Sequence, residues 1–224
     1  MYGRDKQERT IEGAWSETAE STPWHLKNLG DYPKPNHECN FVSPITKTAG
    51  NIGSNIFVLL QDWTSEDDMD KEKDMPADEV AEMRERGYDP DSTTFKRLIN
   101  LLRLHFEKSL HDIYASNVFP LIKPKGTGSA IPLKDMRWGA EEFTLPQIAI
   151  LRPRLTVILG LASIRGVQCA LRRPRSHSLA SAVAAPFDCL ETRIWCQAHP
   201  AARISNDQLT KGWKEMADWY RRTK

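Results

Sequence analysis

Polar residues of three different chemistries follow apolar segments of the chain. Gln61 and Asp62 come directly after the apolar run 55–60. Asn117 ends another apolar segment, and His199 follows a further one. A carboxylate can support a cation or orient water, an amide offers a donor and an acceptor, and an imidazole can donate to a developing negative charge. Each alone also fits a plainer role, as a helix cap, a turn residue or a surface histidine, but three such residues at three segment ends are less easily accidental.

The segments before these residues have the lengths and compositions of buried strands. Short apolar runs bounded by turn residues predict strands at 55–60, 111–119, 155–159 and 192–197. Helices are predicted at 95–110, 141–151, 162–171 and 206–220, with apolar residues at helical spacing in the first and last of them. Pro76 near its start and Gly87 just beyond its end predict a short surface helix at 77–86. Strands separated by helices indicate an α/β fold, a three-layer α/β/α domain with a central, mostly parallel four-stranded sheet. Sites in such sheets form at the carboxyl ends of the strands, which is where the three polar residues stand.

The same pattern predicts the packing of the domain. We expect the strands at 55–60 and 155–159 to be neighbours in the sheet. The core should include residues from both strands and from the helices that cover them, namely Ile56, Val58, Leu98, Leu102, Val157, Ile158, Ile194 and Trp213.

Length and composition describe an ordinary globular protein of 224 residues, with 40% apolar and 27% charged residues. We expect one domain at 51–224, an acidic insertion at 64–91 and an irregular N-terminal arm at 1–50 packed on the domain. The longest apolar run is far too short to span a bilayer, and the polar N-terminus has no secretory signal. The four cysteines form no CxxC pair, so we predict reduced thiols, no metal site and a cytoplasmic monomer.

Charge is distributed unevenly along the chain. Residues 61–91 carry 13 acidic against 4 basic side chains, whereas residues 151–224 carry 13 basic against 5 acidic side chains. A basic surface can face the phosphates of a nucleic acid. Arginines that merely solvate the fold are an equally good explanation from composition alone.

Taken in order, four segments resemble the uracil-DNA glycosylase superfamily. They are VLLQDWTSEDD at 58–68, DIYASNVFPLIKP at 112–124, LPQIAILRPRLTVILGLAS at 145–163 and IWCQAHPAAR at 194–203. The family has an acidic motif after an apolar strand, a strand ending in a base-reading Asn, an LxPxxxxxLG segment and a strand leading into His-Pro. The resemblance covers roughly residues 50–224.

The resemblance implies an enzyme that flips a pyrimidine out of DNA and hydrolyses its N-glycosidic bond. Asp62 would orient water or support the cationic sugar, with Gln61 beside it holding the base. Asn117 would read the base edge, and His199 would donate to the base oxygen that gains negative charge. No lysine stands among the site residues that the resemblance carries over, so it implies a monofunctional hydrolase without a Schiff base that needs no metal or cofactor.

The resemblance also implies where DNA would lie. Arg203, on the loop after the His-Pro motif, would meet the DNA near the vacated stack. The basic loop with Arg172, Arg173 and Arg175 would bind phosphates.

Departures from the family pattern bear on the substrate. The uracil type has Pro-Tyr-His after Gln-Asp, where this chain has Trp63, Thr64 and Ser65. The family's tyrosine excludes a C5 methyl group, so the smaller Thr64 indicates a roomier position. Carboxylates of the acidic insertion would accept hydrogen bonds from a hydroxymethylated or glucosylated base, as found in phage DNA, which suggests anti-phage defence; a solvated acidic loop is the alternative.

Three alternatives stay open on the sequence. A shift of the first motif by one residue would place Gln61 at the catalytic position. Either Trp63 or Tyr88 could stack on the base. A catalytically silent DNA-binding module on the same fold is the alternative function, although such a module should tolerate the loss of Asp62, Asn117 and His199.

Overall fold

The computed structural model describes residues 43–72, 74–123 and 130–223, with backbone alone at positions 72 and 206. Residues 1–42 of the predicted arm and residues 124–129 lie outside these ranges. The last residues of the arm, 43–50, include a short 3-10 turn at Lys47–Ala49.

The centre of the described domain is one sheet. Its strands are β1 (Ile56–Leu60), β2 (Tyr114–Asn117), β3 (Leu155–Leu159), β4 (Phe187–Cys189) and β5 (Thr192–Gln197), in the order β2-β1-β3-β5-β4. All neighbours are parallel except β4, which runs antiparallel to β5. The predicted pairing of β1 with β3 is confirmed, with Val58 opposite Val157.

Helices lie on both faces of this sheet. They are α1 (Glu66–Glu72), α2 (Ala77–Arg86), α3 (Thr93–Phe106), α4 (Leu133–Gly139), α5 (Leu145–Leu151), α6 (Leu161–Ala170), α7 (Leu179–Val183) and α8 (Asn206–Arg222). Side chains alternate between the faces of a strand, so Val58 and Val157 pack under α3 and α8. Phe57 and Ile158 pack under α4 to α7. The α/β class and the covered, mostly parallel sheet agree with the sequence prediction.

The predicted core is confirmed. All eight of its residues are at most 2% exposed. Every residue of β1 and β3 is buried, as expected for inner strands of a sheet covered on both faces. Among the described residues, no helix combines the length and apolar character needed to cross a membrane.

The sheet has five strands, where the sequence predicted about four. The additional strand, β4, has three residues and is joined to β5 through Leu190 and Glu191, whose φ angles are +48° and +67°. Two consecutive positive φ angles make the tight turn that joins antiparallel strands. Residues other than glycine in those positions, and a strand too short to show alternation, gave no sequence signal.

Helix α4 and helix α5 are joined by a π-helical segment, Ala140–Thr144, into one continuous element. The sequence predicted only its second part, at 141–151. The irregular segment stands directly before Pro146, which has no N–H for the α-helical ladder. At the end of α4, a Cβ on Gly139 would lie 2.3 Å from the carbonyl oxygen of Val118, so only glycine allows this approach to the chain after β2.

Candidate active site

A cleft of about 490 Å³ opens where β1, β2 and β3 end. The predicted residues Asp62, Asn117 and His199 all line it. So do the other residues that the sequence associated with base binding, Gln61, Trp63, Thr64 and Tyr88. The parallel strands place these side chains together, because their carboxyl ends lie at one edge of the sheet.

Asp62 is held at both carboxylate oxygens. Its Oδ1 accepts a hydrogen bond from Nε2 of Gln61 at 2.9 Å. Its Oδ2 lies 2.7 Å from Nζ of Lys123, and the two side chains are 8% and 2% exposed. Burial disfavours an isolated charge, and the two opposite charges offset each other here. The pair is therefore a buried ion pair at the edge of the cleft.

The backbone brings Lys123 to this position. The pairing of β1 with β2 continues beyond the strands, since Phe119 N donates to Gln61 O at 2.8 Å. Further along, Ser65 and Lys123 form a parallel bridge, and Glu66 N donates to Lys123 O at 2.8 Å. Lys123 was not predicted as a site residue, although it lies in the segment 112–124. A lysine at the end of a run of apolar residues was the available signal.

Asn117 is the last residue of β2 and is 2% exposed. Its Nδ2 and Oδ1 are both buried, and neither has a hydrogen-bond partner. An unsatisfied buried polar group costs about 1–3 kcal/mol. A ligand that offers both a donor and an acceptor would satisfy both atoms. The amide is covered in this conformation, so a ligand reaches it only when neighbouring side chains of the cleft move.

His199 follows β5 and is half-buried. Its Nδ1 accepts a hydrogen bond from Ala201 N at 3.2 Å, which leaves the proton of the neutral ring on Nε2. Burial lowers the pKa of His199, and the negative charge of Asp62 acts in the opposite direction with a smaller effect. A neutral imidazole with a fixed Nε2–H donor is the result.

Arg97 of α3 fixes the loop that carries His199. Its Nη1 donates to the carbonyl oxygens of Pro200 at 2.8 Å and Ala202 at 3.3 Å. These two hydrogen bonds attach the loop after His199 to helix α3. Arg97 could not be identified from the sequence, because its partners lie about a hundred residues further along the chain. Such distant contacts leave no local sequence pattern.

The acidic insertion at 64–91 forms one wall of the cleft. Its residues in the lining are Thr64, Met75, Met83, Arg84, Gly87, Tyr88 and Asp89. Gly87 has a φ of +76°, and a Cβ there would lie 2.5 Å from Oγ1 of Thr48. Hydrogen bonds from Thr46 Oγ1 to Gly87 O and from Thr48 Oγ1 to Arg86 O attach this wall to residues 43–50.

The first three carboxylates of the acidic insertion, Glu66, Asp67 and Asp68, are in the first turn of α1 and do not line the cleft. Within the described part of the insertion at 64–91, Asp89 is the acidic residue that does.

Both aromatic candidates line the cleft, and each packs against a different part of the protein. Tyr88 packs beside Phe95 of α3, with ring centroids 5.2 Å apart. Trp63 packs against the core on the other face of the sheet. Thr64 is 7% exposed and also lines the cleft. The choice between Trp63 and Tyr88 as the stacking residue stays open.

The predicted DNA-binding arginines lie in two places. Arg203 is exposed on the loop after His199. Arg172, Arg173 and Arg175 are exposed beyond the end of α6. The guanidinium of Arg173 stacks 4.4 Å from the ring centroid of Phe187, which pairs with Ile194 near the start of β5. The three arginines therefore lie towards the opposite edge of the sheet from the cleft.

Comparison with known proteins gave no relative, since neither a protein-family model nor a curated protein matches the chain. Among the described residues, no three His, Cys, Asp or Glu side chains are grouped as a metal site requires. The function must therefore be inferred from the residues of the cleft.

Proposed function

We propose that the protein is a monofunctional DNA glycosylase that flips out a damaged or modified pyrimidine and hydrolyses its N-glycosidic bond. The observation that carries the proposal is the unsatisfied amide of Asn117, buried in the same cleft as Asp62 and the Nε2–H of His199. A pyrimidine edge carries a donor and an acceptor side by side. These are the two hydrogen-bond partners that the amide of Asn117 lacks.

Each of the three residues has one role in the proposed reaction. Asn117 binds the base edge, and His199 donates from Nε2 to the base oxygen that gains negative charge as the bond breaks. Such a donor typically contributes about 2.7–4 kcal/mol to the transition state. Asp62 stabilises the positive charge on the sugar and orients a water molecule towards C1′. Water supplies the hydroxyl group at C1′ and a proton, so the products are the free base and an abasic site.

The substrate we propose is uracil or a pyrimidine with a larger C5 substituent, such as a hydroxymethylated or glucosylated base of phage DNA. A cleft of about 490 Å³ has more room than a single pyrimidine ring fills. Arg84 and Asp89 in its wall are polar groups of the kind that hydroxyl substituents contact. Excision of such bases would serve anti-phage defence, whereas excision of uracil would serve repair.

The proposed partner is DNA, bound across the cleft with Arg203 at its edge. The groups assigned to the reaction all come from one chain, so a monomer in the cytoplasm would suffice.

A panel of oligonucleotides tests the proposal. Each carries one pyrimidine, either plain or modified at C5, and is scored for alkali-labile abasic sites in single-stranded and duplex form. We expect strand breaks with at least one modified base or uracil, and none with Asp62→Asn. Asp188→Asn, which changes an exposed carboxylate on β4, is the matched control and should keep full activity. Binding of DNA without base release from any substrate would favour the silent binding module instead.

A further inference from the structure

We propose that Lys123 is a positioning residue that holds the carboxylate of Asp62 in place at the cleft. This inference rests on the proposed function, in which Asp62 acts on the sugar. Nothing in the resemblance or in the motifs gave Lys123 a role.

The geometry separates the two partners by function. Asp62 lines the cleft, whereas Lys123 does not. The ammonium group is 2% exposed and lies 2.7 Å from Oδ2, while Gln61 occupies Oδ1. Lys123 therefore approaches the carboxylate from the protein interior. A group in that position reaches the substrate only through Asp62.

The charges explain why a cation is useful there. A carboxylate removed from water without a cation is strongly destabilised. With Lys123 behind it, the buried pair is neutral overall and has its negative end towards the cleft. The positive charge that develops on the sugar is then stabilised by a carboxylate that is already in place and needs little reorganisation.

Main-chain contacts also link the segment after Asp62 to Lys123. Glu66 N donates to Lys123 O at 2.8 Å, and Ser65 bridges to Lys123. Asp62 is thus linked to the chain after β2 by its side chain and by residues 65 and 66 that follow it. Asn117 lies at the start of that chain. The ion pair consequently fixes the carboxylate relative to the base-reading amide.

Substitution of Lys123 tests this role against a merely structural one. Lys123→Met should lower kcat for base release by about 100-fold, the loss expected when a catalytic group is misplaced by about 1 Å. The KM for DNA should change less than about threefold, because Lys123 does not contact the substrate. Lys123→Arg keeps the charge and should recover part of kcat. Lys134→Met, at an exposed lysine of α4, is the matched control and should behave as wild type.

A double-mutant cycle measures the pair without using activity. The free energy of unfolding is measured for wild type, Asp62→Asn, Lys123→Met and the double variant. We expect the double variant to lose less stability than the two single changes together, because each single change leaves a lone buried charge and the double variant leaves none. If Lys123→Met does not fold, Lys123→Arg and the double variant still give the kinetic and thermodynamic comparison.

The outcomes are distinguishable. Additive losses in the cycle, or a Lys123→Met enzyme with wild-type kcat, would overturn the proposal for Lys123 while leaving the glycosylase intact. A wild-type protein that releases no base from any substrate would overturn the proposed function, and the cycle would still decide whether the ion pair positions Asp62.

Discussion

Replacing Asn117 with leucine removes two buried polar atoms that have no partner and keeps most of the side-chain volume. We predict that Asn117→Leu abolishes base release while the free energy of unfolding stays the same or rises by about 1–2 kcal/mol, since an unsatisfied group costs that much when buried. Urea unfolding and the oligonucleotide assay measure the two effects. A loss of stability in proportion to the loss of activity would mean that Asn117 is a structural residue.

His199 gives a prediction about pH. Burial lowers its pKa from the ordinary value of 6.5, so between the two values the unfolded chain binds a proton that the folded chain does not. The stabilising contribution of the neutral ring is complete above pH 6.5 and is lost as the pH falls towards the lowered pKa.

We therefore predict that His199→Gln makes the free energy of unfolding less dependent on pH below 6.5. Unfolding by urea at a series of pH values measures this dependence. His177→Gln, at an exposed histidine, should leave it unchanged. Identical pH dependence in His199→Gln and wild type would contradict the assigned burial of the ring.

At the scale of elements, α3 acts on the site through Arg97. We predict that Arg97→Met lowers the rate of base release by about 10- to 100-fold, because the loop with His199 loses two hydrogen bonds that orient it. The free energy of unfolding should fall by only about 1–3 kcal/mol, the usual cost of hydrogen bonds from a charged donor. Arg103→Met, an exposed position on the same helix, is the control for both measurements. Equal rates in the two variants would show that Arg97 does not orient the loop with His199.

The elements that the sequence predicted are those whose signal is local. Strands β1 and β3 are continuous apolar runs, and α3 and α8 carry apolar residues at helical spacing. The predictions of these four elements and of their core residues were therefore correct. Helices α1, α4 and α7 have seven residues or fewer and no long stripe. Strand β4 is too short for a pattern. These elements are stabilised by tertiary packing, which a single sequence does not display.

The site follows the same division. Asp62 and His199 follow predicted strands and Asn117 lies near the end of one, so the topology of a parallel sheet was enough to expect them at one edge. Lys123 and Arg97 act through distant contacts with Asp62 and with the loop after His199. Their partners are set by the fold, and sequence spacing did not identify them.

At the scale of the whole molecule, the arginines divide into two groups. Arg203 is on the loop that follows the cleft residue His199, whereas Arg172, Arg173 and Arg175 follow α6, whose ten residues carry the chain about 15 Å from the edge where the cleft lies. DNA that delivers a base to the cleft must pass near Arg203. Contact with the other group requires a longer path over the surface.

Salt dependence of DNA binding separates these contacts. Each phosphate neutralised on duplex DNA contributes about −0.9 to the slope of log K against log salt concentration. We predict that Arg203→Ala reduces the slope by about one. Arg175→Ala should do so only if the DNA also reaches the far edge of the sheet, and either result maps the path. An unchanged slope in Arg203→Ala would place the DNA away from the cleft.

The central claim is that this cleft releases a pyrimidine base from DNA. Its most direct test is mass spectrometry of DNA incubated with the wild-type protein, with Asp62→Asn and with Asp188→Asn. The account predicts free base and abasic strand in equal amounts with wild type and Asp188→Asn, and neither product with Asp62→Asn. Intact DNA in all three reactions, across uracil and the C5-modified pyrimidines, would contradict it.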